Sequence, residues 1–268
     1  MDQFVNTPVG SLRYRVDGAA GPALLLSNSL GTTLELWDAQ VDAWKQKYRV
    51  IRYDTRGHGQ SSVPPGDYTL DELGRDAIAV LDAAGAQTAD VCGISLGGLT
   101  AMWLGVHAAD RVSALLIANT AAKVGTAERW TERVSKVRNE GMTAIADMVM
   151  TTWFTDDFRR REPSVVARFH RMVAACSPDG YIGCCAALRD ADLRDAIRGI
   201  RAPTLVVAGE LDTSTPMAGA EQIHQAIAGS TFVALPCAHL SNVERAEAFT
   251  ELANGFFASH PDGPHVSR

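Results

Sequence analysis

One serine of this chain lies in a setting that can activate it, the stretch Gly93-Ile94-Ser95-Leu96-Gly97. The G-x-S-x-G pattern is typical of a nucleophile elbow, a sharp strand-to-helix turn that lifts a serine hydroxyl out of a sheet. Glycines suit the flanking positions because strand and helix approach so closely there that larger side chains would collide. The pattern predicts Ser95 as a nucleophile, with the Leu96 N–H at the helix start directed toward an oxyanion.

A serine hydroxyl reacts at neutral pH only when a base removes its proton and a third group orients the base. Asp212 follows the apolar segment 204–208, and His239 follows the apolar segment 231–235. Because the carboxyl ends of parallel strands meet at one edge of a sheet, we expect both side chains near Ser95. Glu210 is a weaker alternative to Asp212, and a glycine-rich turn with a bystander serine is the alternative to the elbow.

A second backbone donor for an oxyanion is expected in the loop after the segment 23–27. That segment runs into Asn28-Ser29-Leu30-Gly31, and the Leu30 N–H is the candidate partner of the Leu96 N–H in an oxyanion hole. An ordinary glycine turn is the alternative interpretation. Ser29, which precedes Leu30, is a candidate contact to the substrate.

Apolar segments alternate with helical patterns along most of the chain, which indicates an α/β fold with a mostly parallel central sheet flanked by helices. The predicted strands are 23–27, 49–53, 90–93, 113–118, 204–208 and 231–235, after a hairpin at about 3–16. The predicted helices include 69–84, the stretch after Ser95, 217–228 and 246–258.

The alternation stops between residues 124 and 193, where amphipathic helical stretches such as 128–138 and 142–154 follow one another. We interpret this segment as a helical cap inserted between two strands. The predicted division is a first core part at 1–123, a cap at 124–193 and a second core part at 194–268. The tail from about residue 260 is expected to be disordered.

The formal net charge of −6 and the pI of about 5.6 argue against binding to nucleic acid or to an anionic membrane surface. The first ten residues resemble no secretory signal, and no stretch is apolar for long enough to span a bilayer. The 5 cysteines show no metal-binding spacing and are expected to be reduced thiols in a cytoplasmic protein. No feature of the sequence specifies an oligomeric state.

Four motifs together resemble the α/β-hydrolase superfamily: D-x-R-G-H-G-x-S at 54–61, G-x-S-x-G, the acid in GELD and the histidine in AHLSN. Within it, NSLGTTLELWD, ANTAAKVGTAERW and WFTDDF are similar to the 3-oxoadipate enol-lactonases, which open a small unsaturated lactone in the β-ketoadipate pathway. The resemblance implies serine hydrolysis through an acyl-enzyme, a small anionic lactone as substrate, and no metal or organic cofactor. Many superfamily members carry His-Gly where this chain has Asn28-Ser29.

A lactone with a carboxymethyl arm requires a cation in the pocket. Residues 123–171 contain more Lys and Arg than Asp and Glu, although the whole chain is acidic. Arg133 shares a helical stripe with Trp130, Val134 and Val137, so it is the candidate partner of the substrate carboxylate. Trp153 and Trp130 are candidate pocket walls. The alternative interpretation is a solvated charged face with aromatic side chains in the core.

Two further functions are compatible with the same residues. The first is a carboxylesterase, perhydrolase or C–C bond hydrolase that uses the same three side chains on another substrate. The second is a ligand-sensing protein of this fold whose pocket binds a signal without turnover.

Overall fold

A computed structural model, which describes residues 1–260, contains an eight-stranded sheet with the strand order β1-β2-β4-β3-β5-β6-β7-β8. The strands are β1 Gln3–Thr7, β2 Gly10–Asp17, β3 Ala23–Ser27, β4 Arg49–Tyr53, β5 Ala89–Ile94, β6 Val112–Ala118, β7 Thr204–Gly209 and β8 Thr231–Leu235. β1 pairs with β2 and β2 with β4 in antiparallel orientation, and all other pairs are parallel. The predicted α/β fold with a mostly parallel sheet is confirmed.

The central strands form because they can be buried on both faces. Every residue of β3, β5 and β7 is buried, and Leu24, Leu25 and Leu26 have no exposed surface. Continuously apolar strands of this kind are typical of parallel sheets covered by helices on both sides. The predicted strands are confirmed. Where an observed strand end differs from the predicted end, the difference is one residue.

Ten α-helices lie within the described residues. They are α1 Asp38–Trp44, α2 Leu70–Ala83, α3 Leu96–His107, α4 Ala127–Trp153, α5 Asp156–Arg161, α6 Pro163–Ala174, α7 Pro178–Asp190, α8 Met217–Ala226, α9 Ser241–Glu244 and α10 Ala246–Ala258. α2 begins at a capping box in which Thr69 and Glu72 bond each other's backbone N–H. α1 was not predicted, because its N-cap, Trp37, offers no side-chain hydrogen bond that would mark a helix start. No helix of residues 1–260 combines the length and apolar character needed to cross a bilayer.

The segment between β6 and β7 is helical, as expected, and contains α4 to α7. α4 covers both predicted helices, 128–138 and 142–154, and is kinked at Gly141, whose φ is 76°. Within residues 1–260 this segment adds no strand to the sheet. The division into core parts at 1–123 and 194–268 and a cap at 124–193 remains our proposal. The tail predicted to be disordered begins at about residue 260, and its residues beyond 260 lie outside the described part of the chain.

β5 and α3 are in backbone contact where the sheet gives way to the helix. A Cβ on Gly93 would lie 2.1 Å from the carbonyl oxygen of Gly97, and a Cβ on Gly97 would lie 2.1 Å from the carbonyl oxygen of Ser27. Both distances are far below a van der Waals contact and involve backbone atoms, which cannot swing aside. Only glycine fits at these two positions, which confirms the steric reason expected from the motif.

We predict that Gly93→Ala lowers the free energy of unfolding by at least about 1–3 kcal/mol, the usual cost of overpacking. The matched control is Gly255→Ala in α10, where a Cβ meets nothing within 4 Å. The control is expected to be neutral or to stabilise by about 0.5–1 kcal/mol, because alanine is the better helix former. Urea unfolding of both variants measures the difference. Equal stabilities would contradict the steric role of the glycine.

Candidate active site

Ser95 occupies the corner between β5 and α3 in a conformation that few residues other than glycine adopt, with φ 59° and ψ −118°. The strained residue is held from both sides: its N–H donates to the carbonyl of Ala118 over 2.9 Å, and its carbonyl accepts from the N–H of Gly98 over 2.9 Å. The surrounding sheet and helix therefore fix the corner and leave the Ser95 side chain half-exposed toward a pocket.

Asp212 and His239 are joined directly, with the Nδ1 of His239 2.8 Å from the Oδ2 of Asp212. Asp212 follows β7, His239 follows β8, and both side chains are buried. The carboxylate also accepts hydrogen bonds from the N–H of Ser214 at 2.8 Å, the N–H of Thr215 at 3.0 Å, the hydroxyl of Thr215 at 2.7 Å and the amide of Asn119 at 3.1 Å. The imidazole is thus oriented by a carboxylate that is itself held by several donors.

The pKa of Asp212 reflects opposing effects. Burial alone would raise it, but the charge of His239 and the hydrogen bonds from His239 and Thr215 outweigh burial, so the pKa lies below the usual value. Asp212 is therefore ionised near neutral pH. An ionised carboxylate at Nδ1 leaves Nε2 of His239 as the ring nitrogen available for proton transfer.

A pocket at the carboxyl edge of the sheet brings together most of the predicted site residues. Its lining consists of Ser29, Leu30, Ser95, Val124, Arg129, Trp130, Arg133, Val149, Trp153, Tyr181, Leu188, Ser214, Thr215 and His239. In the described chain the Ser95 hydroxyl makes no hydrogen bond to His239, although both side chains line this pocket. In unliganded enzymes such bonds are often long and shorten when the substrate binds.

Of the two predicted oxyanion donors, Leu30 lines the pocket, and Leu96 directly follows the pocket residue Ser95. Leu96 is the first residue of α3, so its N–H has no acceptor within the helix. The Leu30 N–H donates to no acceptor within residues 1–260. The next N–H along the loop, that of Gly31, donates to Nε2 of His58 over 2.9 Å. That bond fixes the peptide that follows Leu30.

His58 does not line this pocket, but it contacts the loop that carries Leu30, a role that its sequence motif alone does not reveal. Burial lowers its pKa to about 4, so the ring is neutral near neutral pH and its Nε2 can accept from Gly31. The motif containing His58 is otherwise a rigid turn: Asp54 accepts from the N–H of Leu34 and from Arg13, and Arg56 pairs with Asp76. The turn therefore supports the loop that carries Leu30.

Trp153, at the end of α4, lies beside the imidazole, with the ring centroids of Trp153 and His239 6.4 Å apart. Two contacts hold it there. The N–H of Leu240 donates to the carbonyl of Trp153 over 3.2 Å. The buried carboxylate of Glu244 accepts from the N–H and hydroxyl of Thr155 and from the N–H of Ala238. The end of α4 is therefore tied to the loop of His239.

Trp130, Arg133 and Ser29 also reach the pocket, as predicted. The indole N–H of Trp130 donates to the carbonyl of Val124 over 2.6 Å, and Arg133 donates to the hydroxyl of Tyr181 over 2.9 Å. Asn28 does not line the pocket, because its amide donates to the Tyr53 carbonyl and its oxygen accepts from Trp37. Within residues 1–260 no three His, Cys, Asp or Glu side chains are grouped to hold a metal ion.

Comparison with known proteins agrees with this architecture. The family model for the alpha/beta hydrolase fold matches residues 22–246, most of the chain. The chain belongs to the α/β-hydrolase fold family. It is similar to 3-oxoadipate enol-lactonase 2 of Acinetobacter baylyi, with 45% identity over 89% of this chain and 90% of that protein. Its identity to 3-oxoadipate enol-lactonase 1 of the same organism is 40%, over 93% of this chain and 94% of that protein.

A solved structure is also close. The enol-lactonase from Burkholderia xenovorans LB400 superimposes with a TM-score of 0.94 at 41% identity, covering 96% of this chain and all of that chain. The resemblance to the α/β-hydrolase superfamily and, within it, to the 3-oxoadipate enol-lactonases is thereby confirmed. The roles of individual site residues of this chain remain predictions.

We predict that His58 makes the stability of the protein depend on pH. In the folded protein its pKa is about 4, against an ordinary value of 6.5, so between these values the unfolded chain binds a proton that the folded chain does not. The free energy of unfolding should therefore fall as the pH decreases from 6.5 to 4, with a contribution of about 3 kcal/mol from this group. Denaturant titrations of wild type and His58→Gln across that range measure it. The variant should show a shallower decrease, and identical slopes would contradict the assignment.

Proposed function

We propose that this chain is a serine hydrolase that opens 3-oxoadipate enol-lactone to 3-oxoadipate, as the names of its Acinetobacter relatives state for those proteins. The observation that supports this function is the composition of one pocket, which combines Ser95, His239 and the cation Arg133. A nucleophile, a base and a positive charge in one concave site match an ester bond within an anionic molecule.

In the proposed first half of the reaction, Nε2 of His239 takes the proton of Ser95 while the serine oxygen attacks the lactone carbonyl carbon. The N–H groups of Leu96 and Leu30 stabilise the oxyanion, and loss of one such donor typically costs about 2.7–4 kcal/mol. The bond between the carbonyl carbon and the ring oxygen then breaks. The ring oxygen takes the proton held by His239 and becomes an enol that stays tethered to the acyl group, which is now esterified to Ser95.

In the second half, His239 removes a proton from water, and the resulting hydroxide attacks the acyl carbon. The second oxyanion collapses, the bond to Ser95 breaks, and the serine recovers its proton from His239. The enol acid released becomes the keto acid by tautomerisation. Asp212 holds the imidazole tautomer and stabilises the imidazolium in both halves.

The helices between β6 and β7 contribute the substrate selectivity in this proposal. Arg133 binds the carboxylate of the lactone, Trp153 and Trp130 form walls of the pocket, and Ser29 contacts the substrate from the core. We also propose a cytoplasmic location, because all five cysteines are free and buried thiols, as is usual in a reducing compartment.

The function is tested by following the disappearance of enol-lactone absorbance with wild type and Ser95→Ala. The kcat/KM of wild type should be higher for the lactone than for a neutral p-nitrophenyl ester. Ser95→Ala should lose about 10⁴-fold or more in kcat, because no other group replaces the nucleophile. A preference for the neutral ester would instead favour a general carboxylesterase. If the protein turns over neither substrate and a fluorophosphonate does not label Ser95, a ligand-sensing protein would be favoured.

Arg133→Ala is predicted to raise KM for the enol-lactone at least about tenfold and to leave KM for the neutral ester much less affected. The reason is that a charge bound equally in the ground and transition states contributes to KM rather than to kcat. Steady-state kinetics on both substrates measure the two effects. If KM rises equally for both substrates, Arg133 supports the pocket wall through Tyr181 and does not bind the carboxylate.

A further inference from the structure

A second arginine faces the same pocket. Arg129 lies one helical turn before Arg133 in α4, and residues four apart on a helix share one face. Both side chains are half-buried and both line the pocket that contains Ser95 and His239. Each guanidinium carbon lies 5.9 Å from the centre of the Trp130 ring, so the two cations flank one indole.

In the described part of the chain, neither arginine has an acidic partner. Arg129 donates to the carbonyl oxygen of Ser214 over 3.2 Å, and Arg133 donates to the hydroxyl of Tyr181 over 2.9 Å. Neither forms an ion pair with any carboxylate of residues 1–260, in contrast to the buried Arg13, Arg52 and Arg56, each of which has at least two acidic partners. A guanidinium has five N–H donors, so most donors of both groups are available to a ligand.

This arrangement is unfavourable for the protein alone. Like charges four residues apart destabilise a helix, and partial burial adds a desolvation cost. Burial, followed by the charge of Arg133, lowers the pKa of Arg129 below its usual value. A carboxylate placed between the two cations would offset both effects.

The two arginines are accessible from a second side as well. An outer groove next to the pocket is lined by Arg129, Glu132, Arg133, Lys136, Met148 and Thr152. Lys136 is paired with Glu140 over 2.6 Å. Glu132 is exposed and within residues 1–260 forms no ion pair with either arginine. Arg129 and Arg133 are common to both cavities and therefore stand between the outer groove and Ser95.

We propose that Arg129 is a specificity-determining residue that binds the substrate carboxylate together with Arg133, at the passage between the outer groove and the pocket. The proposal deepens the proposed function and rests on it for the identity of the substrate, a lactone that bears a carboxylate. The site that it describes takes small carboxylates in general. Carboxylate binding at this site can therefore be measured without any turnover of lactone.

The experiment uses adipate, a six-carbon dicarboxylate, as the probe and isothermal titration calorimetry as the measurement. Wild type, Arg129→Gln, Arg129→Lys and Arg138→Gln are compared, after circular dichroism has verified that each is folded. Arg138 is the matched control, because it is an exposed arginine of the same helix and lines neither cavity. Titrations at low and high NaCl concentration separate a charge effect from a packing effect.

Arg129→Gln should weaken adipate binding about tenfold, which corresponds to about 1.4 kcal/mol. Its binding should also depend less on salt than that of wild type, Arg129→Lys should recover part of the affinity, and Arg138→Gln should bind like wild type. Three results would overturn the proposal: no adipate binding by wild type, unchanged affinity in Arg129→Gln, or an equal loss in Arg138→Gln. If wild type does not open the enol-lactone, the proposed function is overturned. The adipate affinities of the variants still test whether Arg129 binds a carboxylate.

Discussion

The backbone contact between β5 and the first turn of α3 is the constraint on which the site depends. Gly93 and Gly97 allow the strand to meet the helix with no side chain between them, and Ser95 takes the strained position at the corner. The strain is tolerated because the hydrogen bonds of Ser95 to Ala118 and Gly98 over-determine its backbone. The same contact sets Gly97 against Ser27, which brings the end of β3, and with it Leu30, beside the helix N-terminus.

The remaining groups converge because Asp212 and His239 each follow a parallel strand, β7 and β8, at the same edge of the sheet. Hydrogen bonds made by two residues, Asn119 and Glu244, then set their mutual orientation. Asn119, which follows β6 with a φ of 46°, donates to Asp212 and accepts from the hydroxyl of Ser241, so it joins the acid loop to the segment after His239. Glu244 joins that segment to the end of α4. The histidine loop is therefore held by the sheet on one side and by the inserted helices on the other.

The sequence sufficed for features that depend on local pattern. The flanking glycines predict the strained corner at Ser95, and positions directly after apolar segments predict that Asp212 and His239 lie together, since a parallel sheet brings such positions to one edge. His58 could not be assigned in this way, because its acceptor role depends on a contact with Gly31, 27 residues away. The proposed role of Arg129 does not follow from the sequence, because its neighbours Glu128 and Glu132 suggest an ordinary solvated face. In the structure α4 packs against α6 and α7, and within residues 1–260 neither acid pairs with Arg129.

The electrostatics of the pocket differ in sign from those of the whole molecule. The chain has a net charge of −6, yet Arg129 and Arg133 line the pocket of Ser95 without an acidic partner among residues 1–260, and the nearby Asp212 is bound by His239. Arg56, by contrast, is neutralised by Glu72 and Asp76. Hydrogen bonds to Ser214 and Tyr181 hold the guanidinium groups of Arg129 and Arg133, which are half-buried. In the proposed site, an environment arranged in advance requires little reorganisation on binding, so a bound carboxylate would offset the free energy lost in burying the two cations.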